Sequence, residues 1–198
     1  MLKRVVMGGI LGGLTMFLWL FVAHEFTPLG EMSEGEIPNE APVLSAMQAA
    51  IPQAGFYIYP GFGLGPNATS AQRNAAMPAY MKKYEQSPHG ILIYNPPSGA
   101  FNFGKLLGRE FGLNVLEGLL AAWLLSWAAA GKGYSARTGV VVLVGVLASI
   151  TTNVEYWNWY EFPGTYVAGY MVTQIIGYAL VGLVVAAFVK NEDAAARS

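Results

Sequence analysis

The sequence predicts a membrane protein: an all-α bundle of four transmembrane helices, with a small extracytoplasmic α+β domain inserted between helices 1 and 2. Three observations carry the prediction. Of 198 residues, 54% are hydrophobic and 12% are charged, about half the charged fraction of a soluble domain. Nearly all the charges lie outside four long apolar windows, and a helix needs roughly 20 such residues to cross a hydrocarbon core. The first two windows are separated by residues 25–105, too long a stretch for a linker and too regular in pattern for disorder.

The first window, Val5 to Ala23, holds no charge. Lys3 and Arg4 precede it, as they would a signal peptide, but bulky Phe21 stands where a cleavage site needs a small residue, so an uncleaved anchor is expected over residues 1–24. The windows Phe111–Ala130 and Tyr166–Val189 are long enough to span on their own. The third window is apolar from Gly139 to Ile150 and turns polar at Thr151-Thr152-Asn153. The aromatic run Tyr156 to Tyr160 completes it, because Trp and Tyr are what a span carries at headgroup level. The spans after the first are expected at about 106–131, 138–160 and 165–189, with a cytoplasmic tail at 191–198.

Lys3, Arg4, Lys132, Arg137, Lys190 and Arg197 all fall on one side of four spans. Basic flanks stay inside, so both termini are predicted cytoplasmic and residues 25–105 outside. Within the outer segment, Val43, Leu44, Met47 and Ile51 recur at helical spacing, giving a helix at about Asn39 to Ile51. Gly55 to Tyr59 and Gly90 to Tyr94 are short β-rich runs bounded by Gly or Pro and read as strands. Met77, Tyr80, Met81 and Tyr84 mark a second helix between them. A two-stranded sheet is marginal alone, so this domain is expected to pack on the ends of the spans or on a partner.

Composition closes several function classes. A net charge of −1 leaves no basic face for nucleic acid. Zero cysteines remove disulfides, thiolate metal sites and cysteine nucleophiles. Gly61, Gly63 and Gly65 are followed by Pro66, not by the helix or the Gly-Lys-Ser/Thr end that a phosphate loop requires, so a tight surface loop is expected. His24-Glu25 lacks the second histidine of a zinc-protease helix, and no cofactor or metal motif is present.

Two features remain. Gly8, Gly9, Gly12 and Gly13 form overlapping G-x-x-x-G patterns, which predict close helix packing within the bundle or between subunits. Polar residues gather in the predicted outer half of the spans. Glu110, Asn114 and Glu117 share a face of helix 2, with Glu117 about 9 Å below a boundary at Phe111. Asn153 and Glu155 end helix 3, Gln174 lies early in helix 4, and His24 and Glu25 end helix 1. Glu117 is the sharpest of these, since an ionisable group in a span is costly and should be paired. It reads as structural glue, as part of a water-filled cleft, or, with His24, Glu110 and Glu155, as part of a metal or proton site.

Trp19, His24, Pro28-Leu-Gly-Glu31, Pro38-Asn-Glu40, Gly55-Phe-Tyr-Ile-Tyr-Pro-Gly61 and Gly90-Ile-Leu-Ile-Tyr94 together resemble a loose group of bacterial membrane proteins to which no activity is attached. The resemblance implies a bacterial inner-membrane location and carries over no function. The leading expectation is a non-enzymatic accessory or assembly subunit, meeting a protein partner or a second copy through helix 1 and the outer domain, and otherwise touching only the bilayer. The alternatives are a small carrier or membrane enzyme built on the polar cluster, and a lipid-binding envelope protein using Phe56, Tyr57, Phe62, Phe101 and Phe103.

Overall fold

The computed structural model describes residues 1–128 and 131–190. The expected tail at 191–198, with Arg197, and the pair Ala129-Ala130 lie outside the described residues. Four helices are long and apolar enough to cross a membrane: α1 (Leu2–Phe26), α4 (Phe103–Ala128), the third span Tyr134–Tyr160, and α7 (Gly164–Phe188). This is the build of an integral membrane protein. Between α1 and α4 lie α2 (Glu40–Ala50), β1 (Gly55–Tyr59), α3 (Ser70–Gln86) and β2 (Gly90–Tyr94). The chain divides into two compact units, one made of residues 1–34 and 101–198, the other of residues 35–100.

In the first unit α1 is central. It packs along α4 on one side and α7 on the other, and α7 in turn packs along the third span, while α4 meets α7 and the third span only lightly. The glycines of α1 make this possible, because both of their faces are in use. A Cβ on Gly9 would stand 2.7 Å from Leu119 Cα, and Gly13 lies against the backbone of Asn114 and Val115, so these two admit α4. Gly8 meets Phe188 and Gly12 meets Val181 and Val185, so the other two admit α7. Gly118 on α4 answers them, with its Cα side pressed to the backbone of Gly9 and Gly13. Where lipid tails are as apolar as leucine, such backbone proximity is what drives spans together. The core that results is small-sided: Val5, Met16, Ala121, Ala122, Leu125, Val141, Val181, Val185 and Ala186.

The third span is not one continuous α-helix. It runs as α5 (Tyr134–Ser149), a π-helical turn (Ile150–Val154) and α6 (Glu155–Tyr160). Glu161, in the left-handed conformation at φ 56°, ends it, and Pro163 starts α7. At the opposite end, Arg137 donates to Ala186 O at 3.0 Å and to Lys132 O at 2.8 Å, and the Tyr134 hydroxyl donates to Leu183 O at 2.9 Å. The bonds to Leu183 O and Ala186 O reach carbonyls in the last turns of α7, where the helix dipole favours a cation.

The second unit is a two-stranded antiparallel sheet with two helices. Gly55 pairs with Tyr94 and Tyr59 with Gly90, so Phe56, Ile58, Ile91 and Ile93 share one face. Helix α3 opens on a capping box between Thr69 and Gln72. It is tied to the loop after β1 by Phe62 stacked on Tyr80 at 4.0 Å and by Lys83 Nζ donating to Gly61 O at 3.3 Å. The glycine-rich run is thus an exposed turn held by a helix. Helix α2 follows Asn39 at φ 54°, a left-handed position that asparagine tolerates.

Candidate functional site

The polar side chains of the spans do not form a single constellation. His24 is exposed, with Nδ1 2.8 Å from Leu20 O, and its ring lies against Gly30 as the chain folds back over the end of α1. Glu25 and Glu155 are also exposed. Among the described residues no three His, Asp or Glu side chains are close enough together to hold a metal ion.

Two groupings are built. The first joins the third span to α7. Asn153 is buried, and its amide donates to Ser149 O and to Gln174 Oε1, both at 3.0 Å. Both N–H groups are used, one holding a carbonyl beside the widened π-helical turn and the other crossing to the neighbouring helix. At the preceding residue of α7, Thr173 donates its hydroxyl to Gly169 O at 2.9 Å, and its own carbonyl accepts from Trp19 Nε1 of α1 at 2.8 Å. Gly177 makes room for that indole, since a Cβ there would meet Met16 Sδ at 2.5 Å and Trp19 Cδ1 at 3.0 Å. Three spans are therefore cross-linked at one level by hydrogen bonds that hydrocarbon cannot replace.

The second grouping is the α4 strip Glu110, Asn114 and Glu117. Asn114 is 2% exposed and its Nδ2 has no hydrogen-bond partner. Glu117 is half-buried, within electrostatic range of Glu110 and of Tyr178 on α7. The ring of Tyr178 rests on Gly145 of α5. Because α4 starts at Phe103, Glu117 stands fourteen residues after the first residue of its helix and eleven before Ala128. That puts it about 21 Å along a helix of about 39 Å, at the middle and not near one end. Lys105, Arg109 and Glu110 occupy the first two turns of α4, ahead of the apolar window that opens at Phe111. Tyr178 holds the matching level on α7, fourteen residues after Gly164.

Trp19, Ser149 and Tyr178 belong to these groupings and did not stand out by residue type alone. Their signal is spacing: Gly12, Met16 and Trp19 repeat along one stripe of α1, and Tyr170, Gln174 and Tyr178 along one stripe of α7. Beyond them, Tyr156, Phe162, Tyr166 and Tyr170 form a file of rings with centroids 5.3, 5.5 and 4.5 Å apart, running from α6 onto α7. Chemically, the arrangement offers a hydrogen-bonded clamp and a lone mid-helix carboxyl. No nucleophile paired with a base is found among the described residues of these groupings. The chain matches no protein-family model, no curated protein and no solved structure.

Proposed function

We propose that this chain is a non-enzymatic accessory or assembly subunit of a membrane complex. On this reading it sits in a bacterial inner membrane with both termini cytoplasmic and residues 25–105 outside, where the inserted domain meets a protein partner. One observation carries it: the inserted unit has almost no interior. Of residues 35–100 only Pro60 and Tyr94 are buried, and α2 and α3 have no buried residue at all. One face of its sheet is open, with Phe56 51%, Ile58 57% and Ile93 69% exposed. Contiguous apolar surface of this kind marks an interaction site, and a small two-stranded domain gains its missing burial by docking.

Purification in mild detergent, with a photoreactive residue placed at Ile93 and activated in the native membrane beforehand, tests this. A protein adduct at that position is expected. A monodisperse monomer without any protein adduct would overturn the reading.

A further inference from the structure

We propose that the face of α4 beside Glu117 receives a transmembrane helix of the partner complex, which presents a basic side chain to Glu117 within the membrane; the inference rests on the accessory-subunit reading and names one of its contacts. Glu117 is half-buried, not enclosed, and flanks the lipid-facing residues Leu113, Leu116 and Leu120 of its own helix. Among the described residues no basic side chain lies in the middle of any span: Lys3, Arg4, Lys105, Arg109, Lys132, Arg137 and Lys190 all stand at helix ends or beyond them. Among the described residues Glu110 and Tyr178 interact electrostatically with the carboxyl, and neither is a cation.

A second polar group on the same strip is also unanswered. Asn114, one turn away, has a buried Nδ2 without a partner. Asn114 is 2% exposed and faces α1, but acyl chains offer nothing to the half-buried carboxyl of Glu117, and an ionisable residue within a span is held only where something pairs with it.

The choice of occupant follows from charge and depth. A second copy of this chain would set Glu117 against Glu117, which repel. Glu117 lies six residues, about 9 Å, inside the apolar window that opens at Phe111, below the level of the lipid headgroups. A helix carrying Lys, Arg or His in its apolar stretch supplies the missing charge at the right depth. The side of α4 is open to it, because α4 packs chiefly on α1 and only lightly on α5 and α7.

The test places a photoreactive residue at Leu120 in the full-length protein and activates it in native membranes. The expected product is a protein adduct whose cross-linked peptide maps to an apolar span with a basic residue. Glu117→Gln, which keeps the side chain's shape, should lower its yield at least about tenfold. Glu117→Lys should abolish it, and exchanging the partner's basic residue for Glu should restore it. If Glu117→Lys does not fold, the Gln variant alone decides.

Lipid adducts only, an adduct insensitive to both substitutions, or a mapped span without a basic residue would each overturn the proposal. A protein adduct at Ile93 with only lipid at Leu120 removes this inference and leaves the accessory-subunit reading standing. Lipid or no adduct at both positions removes both.

Discussion

Replacing Gly9 by alanine adds one methyl group at one of the close approaches of α1 and α4. That methyl carbon would lie 2.7 Å from both Leu119 Cα and Leu119 Cδ2 and 3.0 Å from Leu119 N. Carbon atoms rest at about 3.5–4.0 Å, so something must move by about 1 Å. The side chain can swing aside, but the backbone atoms belong to a helix and cannot move singly. The two helices must part, and the Gly13 and Gly118 contacts in the same seam loosen with them. Overpacking of this kind costs about 1–3 kcal/mol. Gly112 is the control, because it lies in the same helix pair and a Cβ there would meet nothing within 4 Å. Gly112→Ala removes only a flexible residue from a helix and should be neutral or stabilising by about 0.5–1 kcal/mol. Thermal unfolding of the purified protein in one detergent, followed by retention of the folded monomer peak, ranks the two against wild type. Equal melting temperatures for Gly9→Ala and Gly112→Ala would refute the seam as the basis of this bundle.

Trp19→Phe keeps a ring against Gly177 but removes the bond to Thr173 O, and should lower stability by about 1 kcal/mol in the same melt. Substituting Asn153 and Gln174 by alanine, singly and together, should reveal a coupling of about 0.6–1.7 kcal/mol in a double-mutant cycle; additive effects would mean the two amides do not act as a pair. Arg137→Ala, which strips a donor from the end of α7, should cost about 1.5–3 kcal/mol and make the 183–190 segment the first to lose amide protection in hydrogen exchange. Thr69→Ala should cost about 1 kcal/mol of the stability of α3, visible as faster exchange over residues 70–74 with the spans unaffected.

The long apolar helices were legible because hydropathy over twenty residues is a property of composition, insensitive to detail. Helix starts were less so. Asn102 accepts from Lys105 N and so opens α4, a capping signal overshadowed by the charges that follow it. The π-helical turn at Ile150–Val154 coincides with the polar run Thr151-Thr152-Asn153, but polarity does not report that a turn is widened, because widening changes register. Periodicity placed α2 and the two strands well, as residue types there alternate between faces.

The polar residues of the spans were visible one by one, but their grouping was not. Asn153 and Gln174 meet where Gly145 and Gly182 let the third span close on α7, while Gly177 admits α1, and which helix uses which glycine is a three-dimensional matter. For the same reason the glycines of α1 announced a packing face without saying that two different helices would share it.

That shared use of α1 has a consequence for how the chain is made. Of the four described spans α1 comes before the others in the sequence, and its two glycine stripes are filled by α4, the next span, and by α7, the fourth. Until α7 arrives one side of α1 is bare backbone in lipid, and no intermediate with two or three spans can be finished. Membrane insertion of this protein should accordingly leave α1 in the care of the insertion machinery until that fourth helix arrives. A chain halted before α7 would be expected to be degraded rather than stored.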